Sequence, residues 1–117
     1  MSNAAAPDPA DFILVLTTAP DGETAGRIAR PLVEEGLVAC VNIVPGLRSL
    51  YRWEGKLCDE SEVLCLFKTR TALFSAVRER ISSLHPYSVP EVIAVPLARG
   101  SAPYLDWVAQ STIGRTG

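Results

Sequence analysis

The chain has little of what most catalytic or nucleic-acid-binding proteins display. His85 is the single histidine among 117 residues, so a Ser-His-Asp or Cys-His arrangement would have to run through it, and no G-x-S-x-G accompanies it. No Walker loop and no G-x-G-x-x-G is present. The three cysteines, Cys40, Cys58 and Cys65, are odd in number and form no C-x-x-C pair. That speaks against a disulfide framework and a structural zinc site. Cys40 and Cys65 lie among apolar residues, where a free cysteine behaves as a small hydrophobe. Basic excess is missing too: net charge is −2 and the pI is about 5.3, which argues against a nucleic-acid footprint. No apolar run approaches the roughly 18–20 residues of a membrane span. Residues 1–10 lack the basic and hydrophobic blocks of a signal peptide and read as a disordered tail. The expectation is a cytoplasmic protein.

What is present is a chain with 48% apolar residues, enough for one domain, expected over residues 11–113 with 114–117 frayed. The stretch from Val38 to Arg70 organises it. Two extended runs meet at Trp53-Glu54-Gly55-Lys56, where Gly55 supplies a positive φ. On the return arm Val63, Cys65 and Phe67 alternate with Leu64, Leu66 and Lys68. The first arm would span about 50 Å at roughly 3.3 Å per residue, against a radius of gyration of about 13 Å for such a domain. It must bend, with Pro45-Gly46 the natural place, or project beyond the core. A projecting arm leaves unpaired edges, and a second copy of the chain is a cheap cover.

Taken in order, Asp11 to Thr18 reads as a buried strand ended by Ala19-Pro20-Asp21-Gly22. Ala25, Ile28, Ala29, Leu32 and Val33 then form one stripe of a helix over about Gly22 to Glu35, capped by Asp21 and ended at Gly36. Pro31 falls inside it and predicts a bend. After the hairpin, Thr71 is the expected cap of a second helix that Pro86 stops. Ser88 to Leu97 reads as a last strand. A short helix follows with Ser101 as its cap and Pro103 in its first turn. The fold class is α+β: a ferredoxin-like βαββαβ order with a long β-hairpin and an extra C-terminal helix.

Few groups carry chemistry. Glu60 and Glu62 share a strand face with Lys68, and Arg48, Arg52 and Lys56 stand at hairpin spacing to pair with Asp59, Glu60 and Glu62. His85, Tyr87 and Glu91 follow one another at a helix end, with Pro86 and Pro90 stiffening the segment.

The segments LTTAP (16–20), ACVNIVPG (39–46), SLYRWEGK (49–56), SEVLCLFKTR (61–70), LHPYSVPEVIAVPL (84–97) and YLDWV (104–108) resemble the CutA family of divalent cation tolerance proteins. WEGK together with HPY-x-x-PE makes the resemblance specific. It implies the ferredoxin-like fold, a homotrimer resembling the PII signalling proteins with the hairpin at the interface, and a cytoplasmic role in tolerance of copper and other divalent ions without an enzymatic reaction. Copper-binding members place a cysteine just before the TAP segment and a His-His pair before Pro-Tyr. Thr17 and Leu84 stand at two of those positions here, and His85 is retained. The metal set this implies is His85, with Cys40 and Glu62 if they converge, binding copper or another divalent cation weakly or indirectly. The alternative is a PII-like sensor with a small molecule in clefts between subunits, near Trp53, Lys68, Tyr87 and Glu91. No nucleic-acid or membrane partner is expected.

Overall fold

Alternation along strand β1 (Phe12–Ala19) divides the sheet into two unlike faces. Ile13, Val15, Thr17 and Ala19 are buried, while Leu14, Leu16 and Thr18 between them stay half-buried. This computed structural model describes residues 6–114; residues 1–5 of the tail expected over 1–10 lie outside them, and Pro9–Asp11 form a 3-10 turn. Asp21 starts helix α1 (Gly22–Glu34) by accepting the Thr24 backbone N–H at 2.7 Å, which holds its carboxyl below the usual range. Ala25, Ile28, Ala29 and Leu32 are the buried stripe, and the helix runs through Pro31. Gly36, at φ +72°, ends it where a Cβ would meet the Ile113 side chain at 2.8 Å.

The remaining elements are β2 (Cys40–Trp53), β3 (Lys56–Arg70), α2 (Phe74–Leu84), β4 (Ile93–Pro96) and α3 (Ala102–Gln110). The strand order is β2-β3-β1-β4 with every neighbour antiparallel. Helices α1 and α2 cover the face that carries Val15, Val63, Cys65 and Phe67, joined by Ile28, Leu32, Val77 and Ile81. Each such side chain removed from water is worth roughly 1.5–3 kcal/mol. Helix α3 closes one end of the opposite face, where Leu105 and Val108 pack on Phe12 and Ala39. The rest of that face bears Leu14, Leu16, Leu64 and Leu66, with Val44, Ile93 and Val95 exposed.

Three local expectations are corrected. Thr71 does not cap α2: a 3-10 turn, Thr71–Leu73, precedes the helix, and the Thr71 hydroxyl donates to the Ala10 carbonyl at 3.0 Å instead. Ser101 makes no side-chain cap on α3. The last strand is Ile93–Pro96 rather than Ser88–Leu97, because β1 pairs with it only from Leu16↔Ile93 to Ile13↔Pro96 and Pro90 has no N–H to contribute. Of the basic hairpin residues, Arg48 forms the expected ion pair, its guanidinium donating twice to Asp59 at 2.7 and 2.9 Å. Arg52 and Lys56 form none among the described residues.

The hairpin both bends and projects. Val44 pairs with Leu64 and Leu47 with Glu62, so Pro45 and Gly46 together oppose Val63. This is a β-bulge, with Gly46 at φ +84°. Strand β1 ends at Ala19↔Val63; beyond it, residues 47–53 and 56–62 pair only with each other. The turn has positive φ at both central residues, Glu54 at 49° and Gly55 at 78°, as a two-residue type I′ turn requires. The arm stretches the molecule to 60 × 26 × 22 Å, with a radius of gyration of 15.7 Å.

Candidate functional site

Where α2 ends, the chain turns back across the root of the arm. His85 closes the helix in an extended conformation, its backbone N–H bonded to Ile81. Its buried ring lies between two backbone groups. Nε2 is 2.7 Å from the Thr18 carbonyl, and Nδ1 accepts the Tyr87 backbone N–H at 3.1 Å. A carbonyl only accepts, so the hydrogen sits on Nε2 and both ring nitrogens are engaged. The ring also packs on Tyr87 with centroids 4.6 Å apart. The Tyr87 hydroxyl donates to Glu62 Oε2 at 2.7 Å; burial and that carboxylate push the phenol well above its ordinary pKa.

A second tyrosine–glutamate pair lies next to the first, Glu60 and Glu62 being two residues apart on one face of β3. Tyr51 donates to Glu60 Oε1 at 2.8 Å, a diagonal contact, since Tyr51 stands opposite Cys58 in the ladder. The bond to Glu60 comes first in raising the Tyr51 hydroxyl to about 12. Both pairs line a cavity of about 630 Å³ whose walls include Trp53, Tyr87 and Val89 and whose charges include Glu60, Glu62 and Glu91. That is the volume range of small-ligand sites. Arg48 also borders it, with its guanidinium committed to Asp59.

The expected site residues fall into two groups. Trp53, Tyr87, Glu91 and Glu62 line the cleft, and His85 holds the backbone beneath it. Cys40 and Lys68 are elsewhere. They face each other across the β2–β3 ladder, six positions from Glu62 on β3, or about 20 Å along a strand. There the Cys40 sulfur is 3.7 Å from the Tyr104 hydroxyl, and Lys68 Nζ lies 5.6 Å from the centre of that ring. The convergence that a set of His85, Glu62 and Cys40 would need is not formed within one chain, and Lys68, expected in a cleft between subunits, does not line this cleft of the single chain. Among the described residues no three metal-ligating side chains come together. Buried Cys65 is inert, its thiol pushed up to about 11 by burial. Tyr51 and Glu60 were missing from the expected set; their diagonal spacing in the hairpin was the available signal.

Sheet order, helix placement and hairpin define the class: a ferredoxin-like α+β domain with a cleft at the root of a protruding arm. A family model described as "CutA1 divalent ion tolerance protein" matches residues 13–111. The divalent-cation tolerance protein CutA of Thermus thermophilus is 52% identical over 85% of this chain and 96% of its own. A solved structure of divalent cation tolerance protein Cut A1 from the same organism superposes with a TM-score of 0.84 at 51% identity, covering 86% of this chain and 98% of that one. The chloroplastic protein CutA of Arabidopsis thaliana is 47% identical over 86% of this chain, which spans 55% of that protein's length. The chain belongs to the CutA1 divalent ion tolerance family.

Proposed function

We propose that this chain serves divalent-cation tolerance as a cytoplasmic homotrimer, by binding rather than by catalysis. One observation carries the assembly: a two-stranded arm that leaves the domain with Leu50, Trp53 and Leu57 at 59%, 46% and 72% exposure. An isolated hairpin is at best marginally stable in water, and exposed edges are normally covered. A second copy supplies the cover, and the exposed apolar face bearing Val44, Ile93 and Val95 extends the interface. Tyr51 and Trp53 are amphipathic anchors of the kind that interfaces favour. Free cysteines and the absence of any disulfide among the described residues fit the reducing cytoplasm; the Arabidopsis relative is named chloroplastic. A resident copper ion does not fit the donors at hand. Cu(II) needs several nitrogen ligands for a stable site, and both nitrogens of the only imidazole are already bonded. The relation to metal is thus weak or indirect. Sedimentation equilibrium at micromolar concentration tests the assembly: a trimer mass is expected, and a monomer mass overturns it. Trp53→Asp should shift the mass downward.

The cleft favours a second reading, a PII-like small-molecule sensor. Its volume of about 630 Å³ and its paired tyrosines and glutamates are more than metal tolerance alone requires.

A further inference from the structure

Resting on the small-molecule reading of the cleft, we infer that its ligand is an organic cation: an ammonium group carried on an apolar body. The charge of the walls comes first. Glu60, Glu62 and Glu91 border the cavity, and the one guanidinium at its rim, that of Arg48, is neutralised by two hydrogen bonds to Asp59. Such a field repels phosphates and carboxylates and draws cations in.

The spacing of the carboxylates decides which kind of cation. Each of two glutamates is tethered by its own tyrosine, Glu60 by Tyr51 and Glu62 by Tyr87. Glu60 and Glu62 stand two residues apart on one face of β3, each carboxylate held by its own tyrosine, and no three metal-ligating groups converge among the described residues. A small divalent ion needs oxygen ligands gathered within about 2.0–2.6 Å of one point. A diffuse negative field has no such point. It suits a bulky, weakly hydrated charge.

Aromatic surface completes the match. The rings of Tyr51, Trp53 and Tyr87 line the cavity, and the Tyr87 ring is steadied by His85. Indole and phenol rings attract cations through their faces, most strongly where water is excluded. The tyrosine hydroxyls donate to the glutamates, which fixes the carboxylates in place and leaves the rings to meet an alkylammonium body. Glu62, only 6% exposed, is the charge least shielded by solvent, so it contributes most to holding the cation.

Calorimetric titration of the intact oligomer tests this with four probes: choline, its uncharged carbon isostere 3,3-dimethylbutan-1-ol, ATP and Cu(II). Choline is expected to bind, and the isostere to bind at least about tenfold more weakly, as loss of a desolvated cation–π contact implies. Glu62→Gln preserves the Tyr87 contact and should weaken choline about tenfold while leaving the oligomer mass unchanged. Glu91→Gln, at an exposed position, gives a second reading should the first variant misfold. Equal binding of choline and the isostere overturns the charge argument. ATP binding that is weakened by Tyr87→Phe overturns the ligand class while keeping the cleft as a site. Tight Cu(II) binding lost in Glu62→Gln makes the cleft a metal site and overturns the proposal. No binding by any probe overturns the proposal and the small-molecule reading together.

Discussion

Strand β3 is two strands in one. From Val63 to Thr69 alternate residues are buried, with Cys65 and Phe67 at 0% exposure; from Lys56 to Ser61 none is buried. Backbone geometry and partner strand are the same in both halves. What differs is the company. The first half has β1 on its other side and α1 and α2 over one face, and the second has only β2. Burial thus reports tertiary neighbours and not strand propensity, and the exposed half is the surface on which the proposed assembly rests.

The contrast can be broken most strongly from its buried half. Phe67→Ala should cost about 3–5 kcal/mol, read as a lower denaturation midpoint with an unchanged slope; a loss under 1 kcal/mol would mean that the face relaxes as freely as the arm. Next comes Thr17, fully buried opposite Cys65, whose hydroxyl has no hydrogen-bond partner. Thr17→Val removes the orphan at nearly constant volume and should raise stability by about 1–2 kcal/mol in the same measurement. On the arm, Glu54 occupies a left-handed conformation that Asn adopts more readily. Glu54→Asn should gain about 0.5–1 kcal/mol, and slower hydrogen exchange confined to the arm would locate the gain.

The smallest effect is acid dependence. Hydrogen bonds from Thr24, from Arg80 and from Arg48 hold Asp21, Glu35 and Asp59 below their ordinary values of 3.8, 4.5 and 3.8. A lowered folded-state pKa adds stability above the unfolded value and loses it as pH falls through the folded one. The denaturation midpoint should be flat near neutrality and decline below about pH 4. Asp59→Asn should remove only the arm's share of that decline.

Much of the buried half was legible in the residues. The stripe Ala25, Ile28, Ala29, Leu32 and Val33 and the alternation Val63, Cys65, Phe67 each match one period, and the structure buries all of these except Val33, which is 43% exposed. The bend at Pro45-Gly46 was legible because both residues disfavour a regular ladder. Thr71 and Ser101 misled because a hydroxyl beside a helix start has several acceptors within reach, and distant chain decides among them. The last strand was read too long because its extent depends on where β1 stops. At the site, Trp53, Tyr87 and Glu91 line one cavity of the chain, while Lys68, expected with them in a cleft between subunits, and Cys40, named with the metal set, lie about 20 Å away along the β2–β3 ladder; a shared face is visible in sequence, whereas distance along a projecting strand depends on the fold around it.

The bulge at Pro45-Gly46 also reconciles two independent clocks. The tight turn at Glu54-Gly55 counts residues from the tip and pairs Trp53 with Lys56, while the sheet counts from the root and pairs Cys40 with Lys68. The two counts disagree by one residue, and the bulge absorbs the difference. Because of it, Tyr51 and Trp53 lie opposite Cys58 and Lys56, in phase with Glu60 and Glu62. In a ladder kept regular from the root, Leu50 and Arg52 would take that phase instead. The tip can therefore keep its own time, and the cleft receives aromatic rings because one glycine lets the two halves of the hairpin fall out of step.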